Sequence, residues 1–342
     1  MSILISVLIF SILVLFHELG HFLLAKLNKI TVLEFSLGMG PRLLSHEWHG
    51  TRYSVKLLPF GGSCMMLGED EANGEEGSFG SKSPLARLSV IAAGPIFNFI
   101  MALVASAIII ASLGYDPAVL RDVVDGYSAQ EEGMQAGDVI TRMNGKRIHL
   151  AREVNMYLQF HSASEVEIEY QRDGRTYSAV ITPRQDEHGR YLLGVVLDPS
   201  YHKANALQVL EYSAFEVKYW IDLTLQSLKL LVTGRAGVKD MAGPVGVVGM
   251  IDDTYTESAR VSLFAVWINM LNIVILLSAN LGVMNLLPIP ALDGGRIVFL
   301  ILELIRGKRI DPEKEGMVHF AGLMLLMALM AVVLFNDVMK LI

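Results

Sequence analysis

The chain has 342 residues, of which 52% are hydrophobic and 18% are charged, and its formal net charge is −7 at pH 7. The charges are unevenly placed, because the apolar windows 1–25, 88–115, 261–292 and 317–336 contain a single charged residue, Glu18. Each window reaches the ~20 apolar residues that a helix needs to cross a bilayer. The sequence therefore excludes a soluble globular enzyme and a disordered chain, and the negative charge argues against nucleic-acid binding.

These windows predict a polytopic α-helical membrane protein with four transmembrane helices and a sizeable aqueous part. We expect the first window to stay attached, because it lacks the basic start and the small-residue cleavage site of a signal peptide. Cys64 is the only cysteine. An intrachain disulfide and a cysteine-based metal site are therefore excluded.

The distribution of basic residues predicts the orientation of the chain in the membrane. The short segments 26–87 and 293–316 carry several lysines and arginines. The positive-inside rule places such short basic loops in the cytoplasm. Both termini and the segment 116–260 then lie outside the cytoplasm.

Segment 116–200 has the pattern of one compact, mainly β domain. Residues 165–170 alternate with period two, and a turn at Asp173-Gly174 separates them from a second run at 177–181. Residues 151–160 are a short helix candidate. The following segment, 206–232, has apolar residues at helical spacing with charged residues between them. It predicts an amphipathic helix that either packs on the domain or membrane face or contacts substrate.

The first apolar window contains the motif HELGH at residues 17–21. On a helix, His17 and His21 stand one turn apart on the same face, where both imidazoles can bind one zinc ion. Glu18 between them can then act as a general base on water. Ionisable residues inside a spanning helix are costly, so three of them at metal-binding spacing favour a shared Zn²⁺ over hydrogen-bonded packing residues.

A catalytic zinc usually has three protein ligands, so one more is needed. Asp293 is the strongest candidate, because it follows a helix-breaking stretch with two prolines and precedes two glycines at membrane depth. The alternative role for Asp293 is to cap a helix that runs through Ile305. His319, in the fourth window, is a competing ligand.

The sequence resembles the site-2 protease family of intramembrane zinc metalloproteases, in the bacterial branch typified by the regulator-of-sigma-E protease. The resemblance extends over the whole chain. It is carried by HELGH at 17–21, YSVKLLPFGG at 53–62, GPIFN at 94–98, EGMQAGDVI at 132–140, GVKDMAGPVG at 237–246 and LDG at 292–294. The segment 116–200 is similar to a PDZ domain.

The resemblance implies the roles of individual residues. His17, His21 and Asp293 would bind zinc, and Glu18 would polarise the water. Asn285, Pro288 and Pro290 would lie beside the substrate strand.

A membrane-associated β-hairpin at about 51–67 would pair with unwound substrate through its Gly61-Gly62 turn. The alternative for this hairpin is a re-entrant packing loop. The PDZ-like domain would either act as a size filter over the active site or bind peptide.

The implied architecture has four parts. Residues 1–115 hold the first two transmembrane helices and the hairpin. Residues 116–200 form an inserted extracytoplasmic PDZ-like domain, 201–260 an amphipathic helix with a segment that returns to the membrane, and 261–342 the last two transmembrane helices with the LDG motif.

The implied function is hydrolysis of a peptide bond within or near the transmembrane segment of single-pass membrane proteins, such as trimmed anti-sigma factors or signal-peptide remnants. The site would lie in the bacterial cytoplasmic membrane and open toward the cytoplasm. A divalent-metal transporter and an inactive PDZ-containing adaptor are the alternative functions. The sequence leaves the substrate, the cleavage position and the oligomeric state open.

Overall fold

The computed structural model of the protein describes residues 2–69, 75–161, 165–187, 189 and 191–341. Its contacts divide the chain into two compact units. Residues 1–105 and 227–342 form the first unit, and residues 106–226 form the second.

Nine α-helices and ten β-strands are described, and their bounds follow in chain order. The helices are α1 (Ser2–Leu27), α2 (Pro84–Leu113), α3 (Ser128–Glu131), α4 (Ala151–Phe160), α5 (Ala206–Val232), α6 (Pro244–Val261), α7 (Leu263–Leu286), α8 (Asp293–Arg306) and α9 (Pro312–Leu341). The strands are β1 (Val32–Trp48), β2 (Thr51–Met66), β3 (Leu120–Val123), β4 (Val139–Met143), β5 (Lys146–Arg147), β6 (Val166–Arg172), β7 (Arg175–Ile181), β8 (Arg184–Gln185), β9 (Tyr191–Leu192) and β10 (Val195–Leu197).

Four described helices are long and apolar enough to cross a membrane, which agrees with the four predicted spans. They are Ile3–Leu27, Pro84–Leu113, Leu263–Leu286 and Glu313–Lys340. The third apolar window reaches residue 292, but its helix ends at Leu286. Pro288 explains the early end, because a proline disfavours helical backbone at the residue before it and cannot donate a backbone hydrogen bond.

The first unit contains a sheet that is larger than the hairpin predicted at about 51–67. Residues 34–37 of β1 pair with residues 65–62 of β2 in descending order on one side, and with residues 52–55 in ascending order on the other. Residues 42–48 pair with 56–51. The two long strands therefore fold back into four segments, with 34–37 in the interior and 62–66 along one edge. The predicted hairpin left out β1, whose residues 34–37 lie between the two arms 52–55 and 62–65 and pair with both.

The apolar faces of α1 and α2 pack around two clusters in the first unit. One cluster joins α1 and α2 to the base of the sheet and to α8 through residues such as Ala25, Ile91 and Leu300. The other includes Leu13 on α1, Ile251 on α6 and residues of α7. These contacts hold α1 between the sheet and the later helices, so that the start of α8 faces the HELGH motif.

The second unit has the mainly β character predicted for it. Its largest sheet has the order β5-β4-β6-β7, and β3 pairs with β10. The inward-facing residues of β6, Val166, Ile168 and Tyr170, are buried in one core, which is the outcome of the period-two pattern. The helix candidate at 151–160 is α4.

Candidate metal centre

Three potential metal ligands converge in the first unit. His17 and His21 lie one turn apart on α1, and their Nε2 atoms are 3.2 Å apart. Asp293 is the first residue of α8, and its Oδ2 lies 3.2 Å from Nε2 of His17 and 3.5 Å from Nε2 of His21. Within the described residues, these three side chains form the group of histidine and carboxylate donors close enough to share one metal ion.

The geometry of this triangle fits zinc. Tetrahedral zinc has bonds of about 2.0–2.2 Å to nitrogen and oxygen, which places neighbouring ligand atoms about 3.4 Å apart. The three observed separations, 3.2, 3.2 and 3.5 Å, agree with that value. Two imidazoles and one carboxylate also leave a fourth position open, as catalytic zinc sites do.

The hydrogen bond made by His21 directs its free nitrogen at the cluster. Nδ1 of His21 lies 2.9 Å from the carbonyl oxygen of Val90. A carbonyl oxygen only accepts, so Nδ1 carries the proton and Nε2 of the neutral ring keeps its lone pair. His21 is therefore held in the tautomer that binds metal through Nε2.

Asn98 provides the corresponding contact for His17. Its side-chain amide lies 3.1 Å from Nδ1 of His17, and the residue is fully buried. With the amide nitrogen toward the ring, the amide oxygen has no partner. In the opposite orientation Nδ1–H donates to the amide oxygen, which leaves Nε2 of the neutral ring free for metal. The hydroxyl of Ser278 donates to the Asn98 backbone carbonyl at 2.7 Å and ties α7 to this position.

Val90, Gly94 and Asn98 are spaced four residues apart, so one face of α2 meets both imidazoles. Gly94 is required for this approach. A Cβ at residue 94 would overlap Nε2 of His21 and lie 2.7 Å from Cε1 of His17. The backbone of α2 can therefore lie against the rings only where no side chain intervenes.

Glu18 lies beside the cluster and faces the edge segment of the sheet. A Cβ at Gly62 would lie 3.2 Å from Cγ of Glu18 and 3.3 Å from a methyl group of Val14. The edge segment 62–66 therefore passes directly against the glutamate of the HELGH motif. Glu18 directly follows His17 on α1, so its carboxylate is a candidate proton acceptor next to the metal ligands.

The other predicted residues lie around this centre. Gly61 precedes the edge segment with φ +86°, and a Cβ there would contact the side chain of Met39. Asn285 is half-buried in the last turn of α7. Pro288 and Pro290 lie in the connection between α7 and α8.

The two alternatives for Asp293 and His319 can also be compared with the geometry. The N-cap residue of α8 is Leu292, and Asp293 directs Oδ2 at the histidines. His319 is outside the cluster, and its Nδ1 accepts a hydrogen bond from the backbone N–H of Ala291 at 2.8 Å.

Sequence reasoning missed the contacts that α2 makes with the histidines. The GPIFN run marked residues 94–98, but nothing in the sequence pairs Asn98 with His17, which lies 81 positions away. The acceptor at Val90 is a backbone carbonyl, which every residue carries, so no sequence signal could identify it.

Two histidines one helical turn apart, a carboxylate facing them and a glutamate beside the first histidine define a site of the zinc-peptidase class. Comparison with known proteins gives the family. Residues 5–329 match peptidase family M50, and the chain belongs to that family. It is a zinc metalloprotease with membrane-spanning helices.

Two relatives are similar over almost their full length. The zinc metalloprotease RasP of Bacillus licheniformis is 32% identical, with 98% of each chain covered. The regulator of sigma-W protease RasP of Bacillus subtilis is 30% identical, with 98% of this chain and 97% of the relative covered. Among solved structures, the PDZ domain of an SdrC-like protein from Listeria monocytogenes is 25% identical over 25% of this chain and 90% of its own, with a TM-score of 0.23.

Proposed function

We propose that this protein is an intramembrane protease that hydrolyses a peptide bond within or near the transmembrane segment of single-pass membrane proteins. The observation that carries the proposal is the place of the metal cluster. His17 and His21 lie inside the apolar span Ile3–Leu27, and Asp293 meets them there. A site at that depth is suited to a substrate that is itself in the membrane.

His17, His21 and Asp293 are the residues that hold the zinc ion in this proposal. Bound zinc supplies Lewis-acid activation of water and of the scissile carbonyl. Glu18 accepts the proton of the attacking water and returns it to the leaving amine. Val90 and Asn98 keep both imidazoles in the tautomer that presents Nε2 to the cluster.

The substrate lies as an extended strand beside the edge segment 62–66. A peptide bond inside a helix has its carbonyl hydrogen-bonded, so the substrate has to unwind before it reacts. A sheet edge pairs with extended backbone, and Gly62 brings this edge against Glu18. Gly61 shapes the approach to this edge, and Asn285, Pro288 and Pro290 border the opposite side of the strand.

The name of one relative supports the proposed substrate class. The Bacillus subtilis relative is named for regulation of sigma-W. We infer single-pass substrates already trimmed on the outer side, including anti-sigma factors and signal-peptide remnants. The 116–200 segment is a PDZ-like domain outside the cytoplasm that excludes untrimmed proteins by its bulk. The short basic loops are cytoplasmic, and the site opens toward them.

Two substitutions in the purified full-length protein test the proposal with a trimmed single-pass substrate in detergent. Glu18→Gln removes the base but no metal ligand, so it should retain zinc and lower the cleavage rate by about 10²–10⁴-fold. Asp293→Asn should lower both zinc content and cleavage. Asp252→Asn, on an exposed part of α6, is the matched control and should change neither. Normal cleavage by Glu18→Gln would refute the mechanism, and full zinc content in Asp293→Asn would refute the ligand set.

A further inference from the structure

His319 contacts the loop that carries the third ligand. Its Nδ1 accepts a hydrogen bond from the backbone N–H of Ala291 at 2.8 Å. Its ring packs on Phe299 of α8, with centroids 5.6 Å apart. Nε2 lies 3.9 Å from a carboxylate oxygen of Glu315. The carboxylate favours the proton on Nε2, so Nδ1 keeps the lone pair that the Ala291 contact requires.

The backbone that receives this contact is strained. Ala291 has φ +78°, which is the left-handed region that residues with a Cβ disfavour. Neighbouring backbone bonds make the turn tight, since the N–H of Leu292 donates to Ile289 and the N–H of Gly295 donates to Leu292. The partner of the Ala291 N–H is a side chain from α9. Strained backbone persists only where its surroundings hold it in place.

A second contact from α9 falls on the residue before Ala291. Gly322 is three positions after His319, on the same face of the helix. A Cβ at residue 322 would lie 2.5 Å from both Cβ and the carbonyl oxygen of Pro290. Two neighbouring positions of α9 therefore hold the consecutive residues Pro290 and Ala291, just before Asp293.

We propose that His319 is a positioning residue for the metal centre. Its Nδ1 holds Ala291 in the left-handed conformation, and this conformation sets the position of Asp293 opposite the two histidines. The neighbouring approach of Gly322 holds Pro290 beside the substrate strand. The inference rests on the proposed role of Asp293 as a zinc ligand, but it adds α9 to the elements that determine the site.

Two substitutions distinguish the Nδ1 atom of His319 from its Nε2 atom. In His319→Asn, the amide oxygen can occupy the place of Nδ1 and accept from Ala291. In His319→Gln, the amide is one bond longer and reaches the place of Nε2. The two variants are both polar and differ mainly in which ring nitrogen they imitate. Only the asparagine variant should keep the hydrogen bond from Ala291 and, with it, the position of Asp293.

Zinc affinity, measured on the full-length protein in detergent by competition with a chelator, is the decisive readout. Supporting residues around a metal ligand typically contribute 10–100-fold to affinity. We expect His319→Gln to weaken zinc binding by about tenfold, with a matching loss of kcat, and His319→Asn to stay within about threefold of the parent protein. Equal zinc affinities in the two variants, or a weaker asparagine variant, would overturn the proposal.

A third variant tests the strain directly. Glycine adopts left-handed backbone at little cost, so Ala291→Gly should make the loop less dependent on His319. Added to His319→Gln, it should restore part of the zinc affinity. No restoration would overturn the proposed link through Ala291.

Asp293→Asn is measured alongside these variants. If it retains zinc, the proposed metal site is wrong. If it loses zinc while His319→Gln does not, only the role of His319 is wrong.

Discussion

The side-chain amide of Asn98 lies 3.1 Å from Nδ1 of His17, and it connects the second apolar helix to the motif on the first. Asn98 is fully buried, and the ring it contacts is a candidate zinc ligand. When Nε2 of the neutral ring faces the metal position, Nδ1 carries the proton, and the amide oxygen of Asn98 is the atom that can accept it. The contact therefore suits the tautomer of His17 that presents Nε2 to the metal position.

Asn98→Ala should weaken zinc binding without removing a ligand. The His17 ring would lose the acceptor that fixes its orientation, and losses of this kind are typically about 10–100-fold in metal affinity. The measurement is chelator competition on the purified protein. Asn269→Ala is the matched control, because Asn269 is a membrane-span asparagine that bonds Ser258 at 2.7 Å, apart from the metal cluster. A zinc affinity in Asn98→Ala equal to that of the control would contradict the assigned role.

Gly94→Ala adds only one methyl group, but it should severely disrupt the metal centre. The new methyl group would overlap Nε2 of His21 and press on His17, so the imidazoles and α2 have to separate. We expect loss of most bound zinc and of cleavage. Gly249→Ala in helix α6 has no atom within 4 Å of the added Cβ and should be neutral or slightly stabilising. Retention of zinc and activity by Gly94→Ala would contradict the close packing of α2 against the histidines.

Local sequence patterns were sufficient for the parts of the site that lie close together in the chain. The i, i+4 spacing of His17 and His21 and the uncharged windows follow from helix geometry and bilayer thickness. Asp293 was identified from the break in its apolar window. Only the structure shows that Asp293 faces the histidines, because it lies 276 positions after His17 and 272 positions after His21.

The pairing of backbone segments that are far apart in the chain could not be predicted from the sequence. The double pairing of residues 34–37 within the first unit depends on a fold-back between Gly38 and Arg42. The glycines and the proline of this stretch mark a turn, but a turn signal does not say which distant segments will pair. The helix α5 could be predicted from its periodicity, but its partners could not. Within the second unit, Glu216 of α5 bonds Arg152, and no local pattern links these two positions.

Glu34→Gln should remove an acid-sensitive contribution to stability. Glu34 is buried in the sheet, and the paired hydrogen bonds from Arg42, at 2.8 and 2.7 Å, lower its pKa to about 2 from an ordinary 4.5, with support from Ser54. A lowered folded pKa stabilises the fold fully above the unfolded value. That contribution is lost as the pH falls from 4.5 toward 2.

The melting temperature, followed by tryptophan fluorescence in detergent, tests this dependence. Glu34→Gln should melt lower than the parent at about pH 7, and the gap should shrink at about pH 3. Glu47→Gln, which breaks an exposed pair with Arg52 at 2.7 Å, should have little effect at either pH. A gap for Glu34→Gln that stays constant with pH would show that its ionisation does not contribute.

Arg152→Met should destabilise the second unit by leaving the buried carboxylate of Glu216, and the half-buried one of Asp116, without their cation. Arg152 bonds Glu216 at 2.7 Å and Asp116 at 3.2 Å, and the indole N–H of Trp220 also donates to Glu216. Burial raises the pKa of Glu216, and the Arg152 guanidinium is the largest opposing influence. Because Arg152 is partly exposed, we expect a loss of about 2–3 kcal/mol, below the usual range for a fully buried pair.

Hydrogen exchange of the amides in residues 106–226 measures this loss within the intact protein. Adding Glu216→Leu to Arg152→Met should recover part of the stability, since it removes one of the carboxylates that the first substitution leaves without a cation. Arg142→Met breaks a more exposed pair with Glu169, at 3.7 Å, and should cost less than about 0.5 kcal/mol. If the double variant is less protected than Arg152→Met alone, the interaction is governed by the packing of α5 rather than by the charge on Glu216.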